Sequence, residues 1–200
     1  MYKRLKRPLD FVISVSAFLI LFPLFLIIVI ILSISNKGKP FFIQVRPGLN
    51  GKNFKILKFR TMNNRCDKNG KLLPDLDRFT TIGSYLRKTS FDEIPQLINV
   101  IRGEMSIIGP RPLLPQYIPL YSSFQARRHE VRPGITGWAQ VNGRNAISWN
   151  QKFEFDVWYV DNLSFKLDLK IIVLTLSRIF KAEGINQSSE TTMEAFKGDN

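Results

Sequence analysis

Two adjacent acids, Asp92 and Glu93, stand at the head of an apolar run that begins at Ile94. Ser90 lies three residues before Glu93, the spacing of a capping box, so one reading of these acids is structural. The other is chemical. Carboxylates in the first turn of a helix sit at the positive end of its dipole and stay ionised. That suits a nucleophile or a ligand for a hard cation, and the free amides of such a turn help to hold phosphate. Gly109-Pro110-Arg111-Pro112 places an arginine between two prolines. Its backbone is stiff, which suits either bidentate phosphate binding or a rigid surface turn. Phe54, Ile56, Lys58 and Arg60 share one face of an expected strand; its two cations either reach an anion or solvate the strand end. Trp149, Phe153, Asp156 and Val160 form one helical stripe. An acid in such a stripe is costly unless paired, so Asp156 belongs either to a salt bridge or to a site where it orients a cation or a substrate hydroxyl.

The charge that would accompany this chemistry is local. The 200-residue chain has 29 Lys and Arg against 16 Asp and Glu, and 12 of those cations fall in the first 66 residues with one acid, Asp10. The excess flanks an apolar segment and forms no aromatic-interleaved basic patch, so nucleic acid is not an expected partner. One cysteine, Cys66, excludes a disulfide framework, and one histidine, His129, excludes a multi-histidine metal site. Asp75-Leu76-Asp77 has the Asp-x-Asp form of a metal–nucleotide pair but sits in a polar stretch without preceding parallel strands. There is no phosphate-binding Gly-rich fingerprint.

Residues 11–36 carry no charge. As a straight helix they would be about 39 Å long, against a hydrocarbon core of about 30 Å. Pro23 sits near the centre and both flanks are basic: Lys3, Arg4, Lys6 and Arg7 before, Lys37, Lys39 and Arg46 after. A helix that breaks at Pro23, dips and returns to one face satisfies both features, and a kinked spanning helix satisfies the first. In either case the basic flanks are expected against anionic lipid.

The remaining elements must position the acids and arginines. A hairpin is expected over 41–62 around Asn50-Gly51, a loop over 63–77, and short helices over 78–87 and 90–102. A strand is expected over 105–108 and an extended proline-rich stretch over 109–119. Residues 132–145 are expected as a compact loop or short strands, with helices over 148–160 and 167–180, the last either core or interfacial. The fold class is mixed α/β (α+β): a membrane segment over 1–36 and one small catalytic unit over 37–200.

Several segments in order carry a resemblance: KRPLDF, QVRPGLNGKNFKILKFRTM, SFDEIPQLINVIRGEMSIIGPRPLLPQY and RHEVRPGITGWAQVNGRN. With them the chain resembles the bacterial sugar transferases known as monotopic phosphoglycosyl transferases, in their minimal form. The resemblance implies an enzyme on the cytoplasmic face of the bacterial inner membrane. It implies transfer of sugar-1-phosphate from a UDP-sugar to undecaprenyl phosphate, with Mg²⁺ required and UMP released. It makes Asp92 the nucleophile that forms a covalent sugar-phosphate, Glu93 the Mg²⁺ ligand, Lys58, Arg87 and Arg111 phosphate ligands, and Asp156 and Arg144 substrate contacts. RPGITGWAQVNGRNAISW looks most like transferases of diacetylbacillosamine phosphate in protein N-glycosylation. Phe22 departs from the serine usual before the bending proline. Two readings compete: a non-catalytic membrane-anchored scaffold, and a metal-dependent glycosyltransferase using Asp75 and Asp77.

Overall fold

The structure, a computed structural model, describes residues 2–143, 147–181 and 195–198. It opens with one long helix, α1 (Tyr2–Ser35), which contains Pro8 and Pro23. Its central apolar residues face outward: Leu19, Ile20, Ile27, Ile30 and Ile34 are all exposed. Its two ends do not. In the first arm the Arg7 guanidinium donates to the carbonyls of Val100 (2.7 Å) and Ile101 (2.8 Å). Asp10 is buried and accepts from the Ser106 hydroxyl at 2.7 Å. In the second arm Phe25, Ile28 and Leu32 are buried in one cluster with Phe59, Leu86 and Ile94.

Both arms therefore rest on the same globular unit. α1 is continuous through Pro23, which lies between these two packed stretches and removes one helical hydrogen bond. Phe22 lends its ring there: it lies 5.8 Å from the ring of Phe18 and stacks on Phe25 at 6.4 Å.

The hairpin forms as expected. β1 (Phe41–Pro47) pairs antiparallel with β2 (Asn53–Phe59), Phe41 opposite Phe59. The turn between them uses positive φ at Asn50 (54°) and Gly51 (72°), which the Asn-Gly pair tolerates. Alternation buries Phe54 and Ile56 against Val100 and Met105, and sends Phe59 the other way into the α1 cluster.

Next come α2 (Asp75–Arg78) and α3 (Thr81–Lys88), where one helix over 78–87 was expected. The chain restarts because Thr80 is extended and its hydroxyl caps the Gly83 amide at 2.9 Å. The expected loop over 63–77 is partly ordered by α2 and by a bridge between Cys66 and Leu72.

The expected helix over 90–102 is likewise two pieces. A tight 3₁₀ turn covers Phe91–Glu93, and α4 covers Gln96–Arg102. Pro95 has no N–H to donate back to Phe91, so one continuous helix cannot pass through it. β3 (Ser106–Ile108) follows. The proline-rich stretch is not extended throughout: Pro115–Leu120 forms a 3₁₀ helix, with proline at its start where the missing N–H does no harm.

After α5 (Ser123–Ala126) comes β4 (Gly134–Thr136), which pairs parallel with β3. α6 (Trp138–Asn142), α7 (Trp149–Asp161) and α8 (Phe165–Lys181) complete the unit. α7 buries the stripe Trp149, Phe153, Asp156 and Val160. α8 buries Leu167 and Ile171 with Ile108 and Tyr159, and leaves Leu169, Val173 and Leu176 exposed. It is a core helix on one face and bare and apolar on the other.

Three glycines explain themselves by contact at the β3–β4 crossing. A Cβ on Gly134 would stand 2.1 Å from the Gly109 nitrogen, and one on Gly137 would stand 2.2 Å from the Gly109 oxygen. The backbones touch where β4 meets the segment that carries Arg111. Gly134→Ala is therefore expected to destabilise the protein by about 1–3 kcal/mol or more, as overpacking does. Urea unfolding in detergent micelles measures it, and an unchanged midpoint would contradict the close approach.

Candidate active site

Ser90 adopts the left-handed region (φ 59°, ψ 16°) and its side chain makes no cap. The capping box is thus absent, because a left-handed residue cannot take the extended conformation of an N-cap. Its φ instead turns the chain sharply between α3 and the 3₁₀ turn, and that turn delivers Asp92 and Glu93. Two real capping boxes occur elsewhere, at Ser122 with Gln125 and at Ser148 with Gln151.

Glu93 uses its carboxylate for tertiary contacts. Its Oε1 accepts from Lys58 Nζ at 2.7 Å and from Arg111 Nη2 at 2.8 Å. Lys58 is therefore not solvating a strand end. It crosses from β2 to the acids, as the face begun by Phe54 and Ile56 allows. Burial would push the Glu93 carboxyl up, but Arg111 and Lys58 together hold it well below the usual carboxylate range.

Asp92 differs. It is buried, yet its carboxylate has no hydrogen bond or ion pair among the described residues. Burial, then the negative charge of Glu93, push it up; Lys58, Arg87 and Arg111 pull against them. Adjacent acids in one turn so acquire opposite characters, one fixed and strongly acidic, the other free and pushed above the ordinary carboxylate value. Burial likewise lowers Lys58, with Glu93 opposing. Arg87, at the end of α3, lies over the Phe79 ring at 4.7 Å.

Behind Arg111 stands a second pair. Arg128 donates through Nε (3.1 Å) and Nη2 (2.7 Å) to Oδ2 of Asp156, and both side chains are about fully buried. Nη2 of Arg128 also donates to the Arg111 carbonyl at 2.7 Å. Asp156 is thus a salt-bridge acid that orients a cation one layer behind the dyad. Burial pushes its carboxyl up, and Arg128 opposes this.

The structure gathers Asp92, Glu93, Lys58 and Arg111, with Arg87 near enough to act on Asp92 by its charge. Arg144 lies outside the described residues. Pro23 lies inside α1, which is continuous from Tyr2 to Ser35. Arg128 escaped the sequence reading because it sits in the polar run Arg127 to Glu130, which reads as solvated surface. Arg46, expected as a flank against anionic lipid, is instead partly buried near Arg111: burial, then the like charge of Arg111, push its guanidinium down to about 10. Asp77 is exposed on α2. Among the described residues no three His, Cys, Asp or Glu side chains converge.

A fixed carboxylate, a free one and several desolvated cations thus stand together on a unit packed against a long apolar helix. The chain belongs to the bacterial sugar transferase family, whose model matches residues 1–182. The uncharacterized sugar transferase EpsL of Bacillus subtilis (strain 168) is 61% identical over 162 residues, 80% of each chain. The exopolysaccharide production protein ExoY of Rhizobium meliloti (strain 1021) is 38% identical over 196 residues, 90% of this chain and 87% of the relative. UDP-glucose:undecaprenyl-phosphate glucose-1-phosphate transferase of Escherichia coli (strain K12) is 38% identical over 189 residues, 88% of this chain and 40% of that longer one.

Removing Asp156 leaves the Arg128 charge buried without its acid. Asp156→Ala is expected to cost about 3–5 kcal/mol, the usual penalty for breaking a buried pair. Chemical denaturation measures it; a cost below about 1 kcal/mol, the value of an exposed pair, would show that Arg128 finds water instead.

Proposed function

We propose that this protein transfers sugar-1-phosphate from a UDP-sugar to undecaprenyl phosphate through a covalent Asp92 intermediate. The observation that carries the reading is the free, buried carboxylate of Asp92 beside a neighbour whose charge is already taken by Lys58 and Arg111. A nucleophile needs an uncommitted lone pair, and only Asp92 of the two has one on every oxygen.

The Asp92 carboxylate attacks the β-phosphorus of the UDP-sugar. The bond between that phosphorus and the oxygen bridging to the α-phosphate breaks, and UMP leaves with the electron pair. The product is an acyl phosphate carrying the sugar. A phosphate oxygen of undecaprenyl phosphate then attacks the same phosphorus, and the Asp92 carboxylate leaves unchanged. Charge neutralisation dominates such transfers. Lys58, Arg87 and Arg111 supply it, and Arg128 with Asp156 fixes Arg111 from behind.

The residues fit a Mg²⁺ ion. The second oxygen of Glu93 is a hard donor, and Mg²⁺ is typically held by one or two carboxylates plus substrate phosphates and water. When bound it would neutralise charge on the transferring phosphate. A long apolar helix with both arms returned to one unit supports a monotopic placement, on the cytoplasmic face of the inner membrane among anionic lipids. For the donor sugar, the resemblance favours UDP-N,N'-diacetylbacillosamine, while the names of relatives carry glucose and galactose. UMP release from a panel of these UDP-sugars decides among them.

Asp92→Asn is expected to abolish UMP release and covalent labelling by a donor labelled in the sugar phosphate, under rapid quench with Mg²⁺. Retention of both activities would remove Asp92 as nucleophile. Loss on Asp77→Asn with retention on Asp92→Asn would favour the Asp75/Asp77 glycosyltransferase instead.

The pH dependence follows from the two shifted groups. Asp92 must be ionised to attack, and its raised pKa puts the acid limb of kcat/KM above about 4, the ordinary carboxylate value. Lys58 must be charged, and its lowered pKa puts the alkaline limb below about 10.4. Lys58→Arg is expected to move the alkaline limb upward and leave the acid limb in place. An acid limb at or below pH ~4 would contradict the environment described for Asp92.

A further inference from the structure

Arg60 is left over by the mechanism. It shares its strand face with Lys58, about 7 Å farther along the chain. The antiparallel ladder continues to it, since the Arg60 amide donates to the Pro40 carbonyl at 2.8 Å. Asn36, one residue past α1, donates its side-chain amide to the Arg60 carbonyl at 3.3 Å. Phe59, its neighbour, is buried against Phe25, Ile28 and Leu32. Arg60 therefore stands beside the C-terminal end of the long apolar helix, and Lys58 on the same face reaches the acids.

Its side chain is uncommitted. Arg60 Nε is buried and has no hydrogen-bond partner. Lys58 and Arg111 have Glu93, and Arg128 has Asp156, but Arg60 has no carboxylate among the described residues. A guanidinium stays charged at any working pH and presents a planar fork that matches phosphate. A buried N–H without an acceptor is costly and marks a place where one arrives.

We infer that Arg60 binds the phosphate monoester of the membrane-borne polyprenol as it approaches the acyl phosphate on Asp92. The assignment rests on the proposed function and adds a separate place for the acceptor: the donor diphosphate lies on Arg111, Lys58 and Arg87, and the lipid phosphate enters past Arg60. A headgroup phosphate of bulk anionic phospholipid has the same recognition chemistry, so the test must separate the two sources.

The full-length protein in nanodiscs is assayed in two halves with a UDP-sugar that the wild type turns over. Without acceptor, Arg60→Gln is expected to keep the burst of UMP that accompanies covalent labelling. With undecaprenyl phosphate, its acceptor KM is expected to rise about tenfold or more, the loss of a charge-assisted phosphate contact. Arg60→Lys is expected to restore part of it. Sedimentation with phosphatidylethanolamine–phosphatidylglycerol vesicles is expected to match wild type. An unchanged acceptor KM overturns the assignment. So does loss of the burst in both variants, which places Arg60 in the donor half or in the fold. Weakened vesicle binding that accounts for the KM change assigns Arg60 to bulk lipid and overturns it too. A wild type that releases no UMP with any donor overturns the proposed function itself, a result distinct from these.

Discussion

One carboxylate oxygen, Oε1 of Glu93, receives both Lys58 and Arg111. It joins β2, the turn before α4 and the proline-braced segment after β3, none of which is adjacent to the others in sequence. Three ionisable groups in a partly desolvated place are tolerable only because each offsets another. The same arrangement leaves Asp92 unbonded. Its neighbour occupies the cations, so the free acid feels them as a field and not as partners. The distinction between a structural acid and a reactive one is thus a matter of which carboxylate reaches across and which does not.

That cluster depends in turn on the helix. Arg7 closes the C-terminal carbonyls of α4, where a cation also meets the negative end of the dipole. Phe25, Ile28 and Leu32 pack with Phe59 and with Ile94, which follows the 3₁₀ turn at the other end of α4. The dyad's scaffold is therefore gripped by both arms of α1. The apolar helix and the active-site geometry are one construction, and α8 likewise leaves Leu169, Val173 and Leu176 exposed.

Much of this was legible in the residues. The apolar run declared the long helix and Asn50-Gly51 the hairpin, and the alternation through Phe54, Ile56 and Lys58 left open the anion-reaching face that Lys58 turns out to supply. The stiffness of Arg111 between prolines was readable too. What local pattern could not show was where side chains would be spent. Ser90 and Glu93 match a capping box by spacing, and the left-handed φ that defeats it comes from the sharp reversal between α3 and the 3₁₀ turn. Pro95 was visible, but its power to split a helix competes with a strong apolar period around it. Arg128 looked like solvated surface because its acid, Asp156, lies on another element. Long-range pairing of charges has no signature in a one-dimensional string.

The first arm of α1 carries a polar cluster whose partners are far along the chain. Lys6 and Tyr2 both reach Oδ2 of Asp168 at 2.5 Å, and Tyr159 donates to the other oxygen at 2.8 Å. During synthesis the N-terminal arm exists long before its acid does. Loop closure over such a span is slow compared with local structure. Lys6 has Asp10 at 3.7 Å one turn along its own helix from the start, but the clasp to Asp168 closes only once α8 has been made. The N-terminal arm is thus locked from the far end of the polypeptide.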